Sequence, residues 1–404
     1  MAMKKNRRST PEGTRDLLFE ECLARREAES LLTDLFVRRG FSEVMTPGME
    51  YMDAFGRDTE GDDTALPAES MYKLIDQKGR LLVMRPDNTI PIARLTATRL
   101  KDTTLPIRLY YAQDVFRFNP GMTGRSDQEF QAGVELIGAG GERADLEMIA
   151  LSAQALKDCG AEDFRIEIGH VGVFGDLIRR LDTDDDTREE IHALIESKSY
   201  AALGDLLDTL PSTAEAEAIR RLPRLFGGVE TLEEARKLCH GKEARRALDH
   251  LSRLYRSLSA LGLSEQVTID LGLVHRREYY TGVIFRGYIA GSGDTVVSGG
   301  RYDTLLERFG RSLPAVGFGI NVDAVTRVML GEGRIDPPMP PEILVFAPDG
   351  HEIDALRKLE ELSEEGILCE FSVFSTLKES LAYAEEKNIA QVFSVGDEIE
   401  VHEI

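Results

Sequence analysis

Two long runs of strand-forming residues, Ile107–Phe118 and Glu129–Ile137, flank the turn sequence Pro120-Gly121-Met122-Thr123-Gly124. Strands joined through so short a turn pair as an antiparallel hairpin, so the chain must build at least part of its core on an antiparallel sheet. Period-two geometry then places Gln131, Gly133 and Glu135 on one face of the second strand. Taken singly, Gln131 and Glu135 would be the solvated face of that strand. Only their company in the rest of the sequence gives them another meaning.

Around the hairpin the pattern changes several times. Arg15 to Arg39 predicts a long amphipathic helix, with Leu17, Leu18, Leu31, Leu32, Leu35 and Phe36 at helical spacing and Gly40 as its stop. Strands are expected at Phe41–Met45, leading into Thr46-Pro47, and at Leu81–Arg85. Gly138-Ala139-Gly140-Gly141 opens a helix from about Ala144 to Cys159; the Gly138-x-Gly140 pair lacks the third glycine of a dinucleotide fingerprint. From about 173 to 262 the sequence turns helical and charged, broken at Thr183–Thr187 and Gly227-Gly228, as a helical insertion between two halves of one sheet would. Strands resume at Val267–Leu273, Val283–Gly287 and Thr295–Ser298, and a helix is expected after Gly300-Arg301-Tyr302. Pro337-Pro338-Met339-Pro340-Pro341 reads as a linker. Beyond it, Ile343–Ala347, a helix to Glu365, Leu368–Val373, a helix to Lys387 and Gln391–Val395 alternate like a small α/β unit. The expected organisation is a core over 1–330, a linker over 331–341 and a small acidic unit over 342–404.

Charge and cysteines exclude several classes. The chain of 404 residues carries a net charge of −22, and Pro341–Ile404 holds sixteen Asp/Glu against four Lys/Arg. A nucleic-acid surface needs cations that release phosphate counterions, so no nucleic acid is expected there. No apolar run reaches membrane-spanning length, and the basic start runs into Ser9-Thr10-Pro11 rather than an apolar leader, so neither a membrane segment nor a secretory signal is expected. Cys22, Cys159, Cys239 and Cys369 lie far apart, without Cys-x-x-Cys or histidines at ligand spacing. That usage fits free thiols in a reducing cytoplasm, and no metal or cofactor is expected.

Five motifs in order carry a family resemblance. Pro11-Glu12-Gly13-Thr14-Arg15-Asp16, Arg85-Pro86-Asp87-Asn88-Thr89, Phe116-Arg117 through Glu135, Leu273–Gly282, and Gly299-Gly300-Arg301-Tyr302-Asp303 with Pro314–Gly319 are similar, at compatible spacing, to elements of the histidyl-tRNA synthetase family. The resemblance covers roughly Pro11 to Val328. It implies an α+β fold, a class II aminoacyl-tRNA synthetase-like antiparallel sheet flanked by helices, and a C-terminal unit resembling a truncated anticodon-binding domain. It also implies a histidine pocket: Asp87 at the family's glutamate position for the ligand ammonium, with Thr89, Arg117, Gln131, Glu135, His275, Tyr279 and Tyr280 around it. An acceptor such as Glu135 and a phenol such as Tyr280 would satisfy both nitrogens of a buried imidazole.

The departures fall on the ATP side. His275 stands where the family signature Leu-Val-Arg-Gly-Leu-Asp-Tyr-Tyr-Thr-Gly has its catalytic arginine. Asn119 replaces a glutamate two residues after Arg117, and Asn321-Val322-Asp323-Ala324 replaces Gly-Leu-Glu-Arg, whose arginine grips the distal phosphates. A ring near neutrality and a methyl group cannot replace two fixed cations at developing phosphoryl charge. This combination resembles the branch of the family formed by ATP phosphoribosyltransferase regulatory subunits. The resemblance implies a non-catalytic homodimer, assembled into a hetero-oligomer with a short-form ATP phosphoribosyltransferase catalytic subunit, with free histidine as effector of the first step of histidine biosynthesis. Two other readings stay open: a divergent but active histidyl-tRNA synthetase, and a synthetase-like amino-acid-binding paralog with another ligand, to which the shorter reach of Asp87 points.

Overall fold

The hairpin forms and becomes the spine of the larger of two units. In the computed structural model, residues 8–56, 68–119, 126–274 and 279–404 are described, and the chain divides into Met1–Ile335 and Asp336–Ile404. The turn sequence 120–125 and the segment 275–278, with His275, lie outside the described residues.

The first unit opens with helix α1 (Glu20–Arg38), then β1 (Ser42–Glu43), β2 (Met49–Tyr51), β3 (Lys73–Ile75), β4 (Leu81–Met84), α2 (Thr89–Arg99) and the hairpin β5 (Ile107–Phe116) and β6 (Gln128–Ile137). Helix α3 (Glu142–Asp158) and β7 (Phe164–His170) follow. The helical insertion runs through α4 (Val171–Arg180), α5 (Asp185–Glu196), α6 (Tyr200–Asp208), α7 (Ala214–Arg221), the two-residue β8 (Phe226–Gly227), α8 (Val229–Leu238) and α9 (Lys242–Ala260). The sheet resumes with β9 (Val267–Asp270), β10 (Val283–Ile289), β11 (Val297–Arg301) and β12 (Ala315–Asn321), closed by α10 (Val322–Gly331).

Nine strands form one sheet in the order β1-β5-β6-β12-β11-β10-β7-β9-β8. Its pairs are antiparallel except β1 with β5 and β7 with β9. Alternation along β5 decides the layers. Tyr110 joins a core with Leu32 and Phe36 of α1, Met148 of α3 and Leu248 and Leu251 of α9. Leu109 and Tyr111 turn to the other face, among Ile90, Ile92, Tyr279 and Tyr302. A smaller sheet, β2-β4-β3, lies outside the main one in strand order.

Some expectations need correction. Helix α1 starts at Glu20 rather than Arg15, because Phe19 sits at φ 45°, a left-handed conformation that breaks the helical run. Gly40, at φ 80°, follows the helix as the stop its position suggested. The strand expected over Phe41–Met45 shrinks to two residues paired with β5. After Gly300-Arg301-Tyr302 there is no α-helix, only a 3₁₀ turn at Leu305–Phe309 ended by Gly310 at φ 83°.

The second unit contains β13 (Ile343–Phe346), α11 (Glu352–Glu364), β14 (Cys369–Phe371), α12 (Leu377–Lys387), β15 (Gln391–Val395) and β16 (Ile399–Glu403). Its sheet runs β14-β13-β15-β16, parallel except for β16. Ala355 and Leu362 of α11 pack on Ile343 and Val345, whereas Ala384 of α12 packs on Leu344 and Phe346. One helix therefore covers each face of β13. No described helix is long and apolar enough to cross a membrane. The four cysteines are unpaired; burial pushes the Cys159 thiol up to about 12 and the Cys239 thiol up to about 11, which makes both poor nucleophiles.

Candidate functional site

A cavity of about 730 Å³ opens over β5, β6, β11 and β12, a volume within the roughly 300–1,000 Å³ usual for small-molecule sites. Of the eight residues expected from sequence, Asp87, Thr89, Arg117, Gln131 and Tyr280 line it. Tyr279 and Glu135 do not line it but support residues that do.

The β4–α2 loop delivers Asp87. Its carboxylate accepts the Ile90 amide at 3.1 Å, fixing the first turn of α2, and the Tyr279 phenol lies 3.5 Å from its other oxygen. Only 2% of Asp87 is exposed, so the carboxylate is held rigidly at the cavity wall. Thr89 opens α2 and turns its hydroxyl to Glu135, donating at 2.7 Å. The second oxygen of Glu135 accepts the phenol of Tyr302. Tyr302 is buried, and burial first, then the Glu135 charge, pushes its phenol well above the ordinary range. Glu135 was expected to meet the ligand directly. It does not itself line the cavity, whereas Thr89 and Tyr302, which hold it, do.

Three glycines clear the floor. A side chain at Gly317 would overlap the Glu135 carboxylate, and one at Gly300 would stand 2.7 Å from the Tyr280 ring. At Gly133 it would meet the Tyr111 phenol at 2.5 Å. Close approach of strand backbone to buried phenols and a carboxylate is what these glycines permit. Tyr111 and Tyr302, both cavity-lining and buried, were not singled out in the sequence. Gly133, between Gln131 and Glu135, was the available signal that a large side chain sits opposite.

Arg117 follows β5. Its Nε donates to the Pro86 carbonyl at 2.7 Å, and its Nη2 is buried with no hydrogen-bond partner among the described residues. A guanidinium nitrogen out of water without an acceptor is costly, and an anionic ligand group would satisfy it. Gln131 donates its amide to Glu129. Asn119, at the family's glutamate position, is a structural tie: its side chain donates to the Arg117 carbonyl at 3.2 Å and the Ser126 carbonyl at 3.0 Å. Asp127 gathers this corner, accepting the Asn119 amide at 3.0 Å and the Tyr72 phenol, whose pKa that hydrogen bond drives to about 12.

The rim toward α10 has a different chemistry. Asp294, Asn321, Asp323 and Arg327 line it. Asp323 accepts the Phe130 amide at 2.8 Å, and its burial raises its pKa. Arg327 is paired with Asp294, and Arg15, at the other side, with Glu21. Ala324, where the family has its phosphate-gripping arginine, is fully buried in the first turn of α10, its amide capped by Asn321 at 2.8 Å. Around the whole cavity five carboxylates face three guanidinium groups. Among the described residues no cluster of three His, Cys, Asp or Glu could hold a metal ion.

The histidyl-tRNA synthetase family model matches residues 13–325. An ATP phosphoribosyltransferase regulatory subunit of Clostridium kluyveri is 37% identical over 386 residues, covering 95% of this chain and 98% of that one. Among solved structures, an ATP phosphoribosyltransferase regulatory subunit/histidyl-tRNA synthetase from Bacillus halodurans superposes with a TM-score of 0.81 at 31% identity, covering 96% of this chain and 98% of the other. A histidyl-tRNA synthetase from a Nostoc species shares the fold, with a TM-score of 0.73 at 20% identity, over 96% and 92% of the two chains. Sheet, motifs and near-full-length similarity agree, and the chain belongs to the ATP phosphoribosyltransferase regulatory subunit family, built on the class II histidyl-tRNA synthetase-like fold.

Proposed function

We propose that this chain is a regulatory subunit without catalysis of its own, which binds free histidine in the cavity and conveys it as feedback to a separate ATP phosphoribosyltransferase catalytic subunit. The observation that carries the reading is the asymmetry of the cavity. Its floor offers a rigid carboxylate at Asp87 for an ammonium, a guanidinium at Arg117 with one nitrogen unpartnered among the described residues for a carboxylate, and polar groups at Gln131, Thr89 and Tyr280 for a side chain. Its rim offers a triphosphate little. Two of the three guanidinium groups are paired with carboxylates, and Ala324 is closed into the core. Recognition of a zwitterionic amino acid is supported; stabilisation of a pentavalent phosphoryl transition state is not.

Ligand binding alone is sufficient for a regulator, because differential affinity for two states of an assembly shifts their populations, and the coupling is reciprocal. The catalytic partner is a short-form transferase, one without its own regulatory part, and the working assembly is a hetero-oligomer containing a homodimer of this chain. The acidic C-terminal unit fits this assignment better than tRNA binding. Mixing the purified chain with a short-form transferase should raise phosphoribosyl transfer, and histidine should suppress the gain. No change in transfer, together with co-purifying tRNA, would overturn the assignment.

A further inference from the structure

We infer that the outer edge of β16 is a docking site for an extended, basic segment of a protein partner. Strand β16 ends the second unit's sheet, and no strand among the described residues pairs with its far side. Its register is set by pairs such as Phe393 with Val401 and Val395 with Ile399. The Ile404 amide bonds the Ala390 carbonyl at 3.0 Å, and the Glu398 carbonyl accepts the Gly396 amide at 3.1 Å. Backbone groups alternate along an antiparallel strand, so even-numbered residues face β15 and Ile399, Val401 and Glu403 hold their N–H and C=O groups outward. A row of unpaired donors and acceptors of this kind is a template for an added strand.

The side chains specify what kind of strand. Ile399 and Val401, 46% and 51% exposed, lie on the face shared with Phe393 and Val395, where a neighbouring strand would cover them. Glu400 lies on the opposite face, and Asp397, Glu398 and Glu403 flank the apolar pair. From Asn388 to Ile404 there is no lysine or arginine. A second copy of this edge would set carboxylate against carboxylate across the new ladder, which is unfavourable. Nucleic acid would be repelled for the same reason. A strand alternating apolar residues with Lys or Arg matches both faces: apolar against Ile399 and Val401, cationic against Glu398 and Glu400.

The test uses the full chain and a fluorescent heptapeptide, Lys-Val-Lys-Val-Lys-Val-Lys, followed by anisotropy at two salt concentrations. Binding is expected, weaker at high salt. Val401→Pro removes one outward N–H and leaves the inward ladder intact, a substitution that edge strands tolerate; it should weaken binding roughly tenfold or more. Glu400→Lys, at an exposed position, should weaken binding and flatten its salt dependence without any demand on folding. Equal binding by the parent chain and both variants would mean adsorption to a negative protein and overturn the proposal. So would no binding by the parent chain, tighter binding of a single-stranded RNA of the same length, or self-association of the chain that Val401→Pro abolishes.

Discussion

The floor and the rim of the cavity share strands yet obey different rules. On the floor, the carboxylates are buried and fixed in place: Asp87 by the Ile90 amide, and Glu135 between Thr89 and Tyr302. On the rim, charges are half exposed and cancel in pairs, Arg327 with Asp294 and Arg15 with Glu21. Preorganised groups out of water give specificity, because a wrong ligand leaves them unpaired. Paired, solvated charges give little of either affinity or catalysis. Where recognition and reaction draw on different residues in this way, a site can keep one without the other.

The largest expected effect breaks or confirms that division outright. If two of the family's fixed cations are missing, at His275 and Ala324, each missing donor costs roughly 2.7–4 kcal/mol. Histidine-dependent pyrophosphate exchange should then run at least about ten-thousandfold below that of a working synthetase. Exchange within tenfold of such an enzyme would merge floor and rim into one active site. Ala324→Arg is not expected to restore activity, because the position is closed into the core and the guanidinium would have to displace packed side chains.

The larger unit should lose stability in acid through one buried histidine. His170 ends β7 and caps α4, its Nδ1 accepting the Gly172 amide at 3.0 Å. Burial, then the nearby His250, lowers its pKa from 6.5 to about 4; Asp145 opposes the shift and Arg301 adds to it. A depressed histidine is neutral in the fold and takes up its proton more readily when unfolded. Its contribution is therefore complete above the unfolded pKa and is lost as pH falls from about 6.5 to about 4, up to about 3 kcal/mol in all. Denaturant titrations across that window should show the decline, and His170→Asn, which keeps a capping acceptor, should flatten it. An unchanged acid limb would assign the loss to other groups.

Single substitutions on the two sides should separate by affinity. Asp87→Ala removes the carboxylate proposed to meet the ammonium, and calorimetry should show histidine binding weaker by roughly ten- to a hundredfold, about 1–3 kcal/mol. Arg327→Ala on the rim should leave histidine affinity within about twofold, because the guanidinium is spent on Asp294. Comparable losses from both would mean the ligand spans the cavity.

What the sequence made legible follows the range of the forces involved. The hairpin and α3 rest on local periodicity, and each formed near its expected bounds; the insertion, expected only as a helical stretch, divides into α4 to α9. Strand β16 folds back on its neighbour β15 across Gly396-Asp397-Glu398 and was not anticipated, because its alternation of Ile and Val with charged residues is half exposed; β2 was missed because it finds its partner β4 far along the chain. Phe19 delayed the start of α1 through a backbone conformation that its residue type does not announce. In the site, the motifs led to Asp87, Thr89, Arg117, Gln131 and Tyr280, all on the cavity wall. The depth of Glu135 was not legible, because a strand pattern tells which face a side chain takes, not what lies in front of it. Tyr302 stood in a quoted motif, and only the structure shows its phenol on Glu135.

The smallest loss expected on the floor tests it at that point. If Tyr302 serves to hold the Glu135 carboxylate, Tyr302→Phe removes one neutral donor to a charge and leaves the ring in place. The cost should be that of one charge-assisted hydrogen bond, about 1.5–3 kcal/mol when shared between stability and binding. Thr89 still holds the other oxygen at 2.7 Å, so the carboxylate stays in place but less firmly aimed. Histidine affinity should fall by roughly threefold to tenfold, less than for Asp87→Ala. Gly317→Ala should fall further, since its methyl would displace the carboxylate itself. The order Gly317→Ala worse than Tyr302→Phe is the sharp outcome. The reverse order would mean that the Tyr302 phenol bonds the ligand itself, rather than only holding the Glu135 carboxylate.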